Sequence, residues 1–135
     1  MINRHRPGAD GLLGPLEYAV MVALWQRAPA SVPEVRERVN RHRDAQAALA
    51  YTTVMTVLSR LYDKGLVTRD RRGRGYTYTP RYDEAGLVDH LGCQEVGALL
   101  ARYGDVALAH FAAALEDADE GLRARIRALG EHHDA

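Results

Sequence analysis

The sequence predicts a mainly α fold with one small β-hairpin: a winged helix-turn-helix followed by a C-terminal helical region. Three observations carry this expectation. First, the run from Ala50 to Tyr78, AYTTVMTVLSRLYDKGLVTRDRRGRGYTY, reads as an amphipathic helix, a glycine stop and two β-favouring stretches around an arginine- and glycine-rich reversal. Second, two helical patterns precede this run and three follow it. Third, charge is segregated. Residues 1–82 hold 14 Lys and Arg against 7 Asp and Glu, whereas residues 83–135 hold 4 against 11, so balances of +7 and −7 cancel to a formal net charge of 0. Such asymmetry points to nucleic-acid contact by the basic half. A GC-rich genome accounts for the use of 17 Arg to 1 Lys, but not for their segregation.

In chain order, residues 1–11 are polar, contain Pro7, Gly8 and Gly11, and are expected to form a flexible N-terminal arm. Residues 12–82 then read as the winged-helix domain. Leu16, Ala19, Val20, Val22, Ala23 and Leu24 suit a largely buried first helix with Pro15 in its first turn, stopped by Ala28-Pro29. Ser31-Val32-Pro33-Glu34 marks the next helix start, with Ser31 and Glu34 spaced as a capping box. This second helix buries Val35 and Val39 and turns Arg36, Arg38 and Arg41 outward.

The third helix runs from about Tyr51 to Lys64, with Val54, Val57, Leu58 and Leu61 as its buried stripe. Gly65 suits the left-handed C-cap. Residues 66–69 and 76–79 favour strands, and Arg71-Arg72-Gly73-Arg74-Gly75 forms the loop between them. Tyr76 and Tyr78 alternate along their strand and are expected to pack on the core.

Residues 83–135 form a helical region with segments Asp83–Tyr103, Asp105–Leu115 and Asp119–Leu129. Gly104 breaks the first pair and Asp117-Ala118-Asp119 the second. These helices carry too few large apolar residues for a core of their own. Leu87, Leu91, Leu99, Leu108, Phe111, Leu115, Leu122 and Ile126 therefore need a partner, and a second copy of the chain is the simplest. No internal repeat is visible.

At 135 residues the chain is short for an enzyme with an elaborate cofactor site. No apolar run approaches a membrane span, and MINRHRPGADG lacks an apolar segment of the signal-peptide type, so neither a leader nor membrane insertion is expected. The single cysteine, Cys93, forms no internal disulfide and fits a reducing cytoplasm; it is expected to be a small apolar packing residue, with redox sensing the alternative. The histidines show no HExxH spacing, and His90 and His110 are expected to be ordinary helix-surface residues. No glycine-rich phosphate loop and no convergent acid, base or nucleophile is present, so no enzyme, metal or cofactor is expected.

The candidate binding residues lie on two elements. On the third helix, Tyr51, Thr52, Thr53, Thr56 and Arg60 lie off the buried stripe. Threonine can exchange hydrogen bonds with base edges and meet a thymine methyl, and arginine can bind guanine or phosphate. The plainer reading is a solvated helix face whose threonines satisfy their own backbone. In the wing, Arg71, Arg72 and Arg74 place three cations within four residues, which repel one another unless an anion answers them. Phosphates or a narrow minor groove would do so. Arg36, Arg38 and Arg41 are candidates for backbone contacts.

The segments LGPLEYAVMVALW at 13–25, VPEVRERV at 32–39 and AYTTVMTVLSRLYDKGLVTRDRRGRGYTYTP at 50–80 resemble the penicillinase-repressor family of BlaI/MecI/CopY-type winged-helix regulators. The resemblance implies a homodimeric repressor, with residues 51–64 as recognition helix and 69–79 as wing. It also implies a C-terminal helical region that dimerises over a palindromic operator in double-stranded DNA. Family members tied to antibiotic resistance are cut between an Asn and a Phe in that region, after a membrane sensor protease is activated. The corresponding positions here are His110-Phe111, so the Asn is absent. The copper-responsive branch carries a cysteine-rich C-terminal motif that a chain with Cys93 alone lacks.

The reading is thus a cytoplasmic, homodimeric repressor released by an unidentified signal, with proteolysis in the dimerisation region by a sensor protease as one candidate. Two rivals stay open. One is a winged-helix regulator with a small ligand between its C-terminal helices, and the other a winged-helix module that docks an acidic protein.

Overall fold

Pro15 fills the first position of helix α1 (Pro15–Gln26), where its missing N–H costs no hydrogen bond. The structure, a computed structural model, describes residues 8–117 and 119–133, the side chains of 131–133 excepted. Two compact units divide the chain, one ending at Leu91 and the other resuming at Gly92.

In the first unit, α1 is followed by a two-residue strand β1 (Ala30–Ser31), α2 (Val32–Asn40), α3 (Tyr51–Asp63), and the antiparallel strands β2 (Val67–Arg72) and β3 (Gly75–Pro80). The sheet order is β1-β3-β2, with Ala30 opposite Tyr78 and Ser31 opposite Thr77. The small first strand is not among the expected elements. Two residues show no periodicity, and only pairing with distant β3 makes them a strand.

The capping box forms as the spacing predicts. Ser31 Oγ accepts from the Glu34 N–H at 3.3 Å, and the Ser31 N–H donates to Glu34 Oε1 at 3.1 Å. The Ser31 N–H bond and a second bond that the Ser31 hydroxyl donates to Glu34 Oε1 at 3.0 Å hold the Glu34 carboxyl below its ordinary pKa, with Arg38 and Arg27 assisting and slight burial opposing.

Helix α3 buries Val54, Val57, Leu58 and Leu61, the four residues of the expected stripe. It ends as predicted at Gly65, whose φ of +74° is the left-handed conformation that glycine adopts without steric cost. The Leu66 N–H reaches Leu61 O and the Gly65 N–H reaches Tyr62 O, closing a Schellman motif. Lys64 Nζ also pairs with Glu17 Oε2 at 2.8 Å, fastening the end of α3 to α1.

One core joins these elements: Val20, Met21 and Leu24 of α1, Val35 and Val39 of α2, the α3 stripe, Leu66, Val67 and Tyr78. Tyr76 is half-buried beside Tyr78, as the strand alternation predicts. Trp25 Nε1 donates to Tyr82 O at 2.9 Å, anchoring the segment that leaves the hairpin.

Three expectations change here. Residues 1–7 of the expected arm lie outside the described residues, but Ala9–Gly11 form a 3-10 turn whose Ala9 is fully buried. Ala9 O accepts from the N–H groups of Leu12 and Leu13, so this stretch belongs to the folded unit. Leu87, expected on the dimer face, is fully buried in the same core, and Val88 and Leu91 pack against it. The first unit therefore runs to Leu91, past the boundary expected after residue 82. Periodicity indicates that Leu87 needs a partner, and the partner is the winged-helix core itself.

Helix α4 (Glu84–Tyr103) starts where Asp83 Oδ1 accepts from the Gly86 N–H at 2.7 Å. From Gly92 onward it belongs to the second unit, with α5 (Asp105–Glu116) and α6 (Glu120–His133). The break between α4 and α5 falls at Gly104, with φ +55°, as expected. Of the later break, Ala118 lies outside the described residues; Asp119 Oδ1 accepts from the Leu122 N–H and caps α6. Arg123 donates to the final carbonyls of α5, Leu115 O and Glu116 O.

Candidate nucleic-acid interface

At 100° per residue, the outer surface of α3 has a polar middle formed by Thr52, Thr56, Ser59 and, in the last turn, Asp63. Thr53 and Arg60 lie along one edge, Met55 and Tyr62 along the other. Tyr51, Thr52, Thr56 and Arg60 are exposed, whereas Thr53 and Ser59 are half-buried. The hydroxyl of Thr56 donates to Thr52 O at 2.9 Å. Its proton is committed to the helix, and the side chain presents a methyl and an acceptor oxygen. The plainer reading of these threonines therefore holds for the Thr56 proton. Met55, exposed to 41%, joins this surface beyond the sequence-based candidates, although the stripe spacing that exposes Thr52 and Thr56 exposes it too.

Ala50 occupies the N-cap of α3 and supplies no side-chain cap. What fixes this end is Asn40. Its Oδ1 accepts from the Leu49 N–H at 2.8 Å and its Nδ2 donates to Leu49 O at 3.1 Å, while Arg36 Nε donates to the same carbonyl. Asn40 and Arg36 thus hold the α2–α3 connection just before the helix.

The three α2 arginines separate into different roles. Arg38 is a correction: its side chain is only 11% exposed and donates to Ala23 O and Arg27 O at the C-terminal end of α1. Those carbonyls lack helical partners, and a cation there also meets the negative end of the helix dipole. Arg36 is exposed beyond its bond to Leu49 O, and Arg41 pairs at the surface with Glu37 at 3.3 Å.

The wing is more regular than the sequence suggests. Arg71 pairs with Tyr76 and Arg72 with Gly75 in the ladder, so only Gly73 and Arg74 form the turn. Gly73 has φ +59°, at the first central position where a II′ hairpin turn favours glycine. Strand alternation then sends the arginines different ways. Arg69 and Arg71 share the face of Tyr76 and Tyr78, Arg72 takes the opposite face, and Arg74 stands at the tip. Burial works against the Arg69 charge, but hydrogen bonding to Tyr78 and the surrounding tyrosines hold its pKa above the ordinary arginine value.

Elsewhere, Cys93 belongs to the second unit and is exposed rather than packed. His90 is not an ordinary surface residue: its ring stacks on Tyr82 with centroids 4.7 Å apart. His110 and Phe111 line an apolar groove with Leu99, Tyr103 and Val106. The groups of His, Cys, Asp and Glu among the described residues form no metal site. No single helix among them is long and apolar enough to cross a membrane.

The family model of the penicillinase repressors matches residues 13–130, nearly the whole chain. The chain belongs to the penicillinase repressor family. This is a family of transcriptional repressors, not enzymes. The transcriptional regulator BlaI of Mycobacterium tuberculosis is 48% identical over 77 residues, covering 56% of this chain and 53% of that protein. The penicillinase repressor of Bacillus licheniformis is 27% identical over 73 residues, covering 54% of each. The matches thus span about half the length of these curated relatives.

Among solved structures, the B. licheniformis BlaI monomeric form in complex with the blaP half-operator is 27% identical. It covers 55% of this chain and 85% of that one, with a TM-score of 0.44. Helices α1–α3 with the small antiparallel sheet that carries the β2–β3 hairpin make up the winged-helix fold of this family.

Proposed function

We propose that this chain is a sequence-specific transcriptional repressor that binds a palindromic operator as a homodimer in the cytoplasm. One observation carries the reading: the exposed polar face of α3 and the arginine-bearing hairpin belong to one unit, with only Lys64-Gly65-Leu66 between them along the chain. A helix set in a major groove, with a neighbouring hairpin on the flanking backbone, uses both surfaces at once. Thr52, Met55, Thr56 and Arg60 meet base edges, with Thr53 at the margin and Tyr51 on the sugar-phosphate backbone. Arg71, Arg72 and Arg74 meet phosphates, and Arg36 and Arg41 supply secondary contacts.

The second unit supports the dimer. Leu99, Leu108, Phe111, Leu115 and Ile126 are all exposed in the single chain, Leu122 is half-buried, and none of the described residues of α5 is buried. Apolar area of this kind is stabilised by burial against a second copy. The −7 balance of residues 83–135 keeps that region off the duplex and leaves the basic half facing it. The two half-sites then lie about one helical turn apart, or a multiple of it.

Weakening of the dimer releases the operator. If a sensor protease cuts at His110-Phe111, it has first to unwind α5, because the bond lies inside that helix.

Selection of bound sequences from a random duplex library, followed by titration of the winner at several salt concentrations, tests the proposal. A palindrome bound by a dimer far more tightly than random DNA is the expected result. Weak binding that ignores sequence would overturn it.

A further inference from the structure

Arg69 sits between two tyrosines from different elements. Its Cζ lies 3.9 Å from the ring centroid of Tyr62 and 4.3 Å from that of Tyr76. Arg71 Cζ stands 5.7 Å from the same Tyr76 ring. Tyr62 belongs to the last turn of α3, Arg69 to β2 and Tyr76 to β3. Two aromatic rings and a cation therefore bridge the end of the recognition helix and the stem of the wing. Beyond this point the hairpin has no buried anchor: Arg71, Arg72, Gly73, Arg74 and Gly75 are all exposed. The covalent link between helix and hairpin turns at Gly65, a residue without a side chain to brace it.

We propose that the Tyr62–Arg69–Tyr76 stack holds the wing at a fixed angle to α3, making Arg69 a positioning residue rather than a phosphate ligand. The inference rests on the DNA-binding reading for its consequence, but not for its geometry. A planar guanidinium stacks flat between two ring faces, whereas a compact, strongly hydrated ammonium meets a ring only as a point charge and cannot fill the gap between two. A hairpin held in place meets the backbone without losing freedom on binding, so the helix and wing engage one duplex together. The spacing of Tyr62, Arg69 and Tyr76 in the chain reveals nothing of this until the hairpin folds back.

Arg69→Lys separates the two roles, since it keeps the charge and loses the flat stacking between the two rings. In the free protein, hydrogen exchange at the amides of residues 71–76 should become several-fold faster, with those of 54–61 unchanged. On the selected duplex, Arg69→Lys should weaken binding about three- to five-fold, the range of an exposed cation–π contact. The same change in an Arg72→Ala/Arg74→Ala background should add almost nothing, because the wing then has little left to position. Tyr62→Phe should behave like the wild type and Tyr62→Leu like Arg69→Lys.

Unchanged exchange in Arg69→Lys would overturn the proposal, as would an equal loss of affinity in both backgrounds. Wild-type protein that binds no duplex selectively would sink the DNA reading instead. The exchange result would then still decide whether the stack holds the hairpin.

Discussion

Asn40 pairs with the backbone of Leu49 through both ends of its amide, accepting at 2.8 Å and donating at 3.1 Å. The arrangement mimics a strand pair and fixes the chain one residue before the N-cap of α3. Replacing Asn40 by Ala leaves the partly buried Leu49 N–H without its partner and the Leu49 carbonyl with Arg36 alone. The expected cost is about 1–3 kcal/mol of stability by urea unfolding. Selective DNA binding should fall further than stability alone accounts for, because the N-terminal turn of α3 loses its register. Selectivity untouched in a folded Asn40→Ala protein would show that the connection does not set the helix.

The wing arginines should be visible through salt. Every phosphate that a substitution leaves without its cation shrinks the slope of log K against log salt by about 0.9. Arg74→Ala and Arg72→Ala should each do so and should weaken binding to all sequences alike. These two side chains stand at the tip and on the outer face of the hairpin. Arg38→Ala should leave the slope unchanged and lower stability instead, since its guanidinium is spent on the end of α1.

The contrast between these arginines marks what is legible in the sequence. The α3 stripe, the Ser31–Glu34 box and the Gly65 stop all follow from residues within a few positions of one another, and local spacing is enough to read them. Arg38 reads as an outward cation because its acceptors, Ala23 O and Arg27 O, come from another helix and its end. Leu87, Asn40, Arg69 and the small first strand likewise take their roles from partners distant in sequence. Sequence spacing therefore marks which surface of α3 is exposed, but not what aligns it with the wing.

Thr52 and Thr56 should differ although both are exposed on one face of α3. The Thr56 hydroxyl proton is already bonded to Thr52 O, so Thr56→Val should cost less than about 1 kcal/mol on the preferred duplex. The Thr52 hydroxyl has no such commitment among the described residues, and Thr52→Val should cost about 1–3 kcal/mol there and much less on random DNA. Titration of both variants on both duplexes measures this. Equal losses on the two duplexes would mean that the helix does not read bases.

The capping box carries a pH signature. Glu34 has its folded pKa depressed, so its contribution to stability is fully present above the unfolded glutamate value of about 4.3. It is lost as pH falls through the lower folded value. Ser31→Ala should cost about 1 kcal/mol at pH 7. Part of that gap should close in acid, where protonation of Glu34 weakens the bond that the Ser31 hydroxyl donates to its carboxylate in the wild type. Unfolding curves for both proteins between about pH 7 and 3 would show it, and a gap independent of pH would assign the whole effect to the bond that the Ser31 hydroxyl accepts from the Glu34 N–H.

Leu87 and Phe111 provide the sharpest division between core and interface. Leu87 is fully buried in the first unit, whereas Phe111 is 45% exposed on α5. Leu87→Ala should destabilise the winged-helix unit by about 2–5 kcal/mol through the cavity it leaves. It should not change the oligomeric state of the protein that remains folded. Phe111→Asp should do the reverse: far-ultraviolet dichroism should persist while sedimentation shifts from dimer to monomer, because a charge on an apolar interface loses its water on association. A monomer still carries α3 and the wing, so it should bind a half-site with salt dependence per protomer unchanged. It should lack the added affinity that two linked half-sites give. If Phe111→Asp stays dimeric and Leu87→Ala dissociates, the interface lies nearer the start of α4, and the exposed residues of α5 serve another contact.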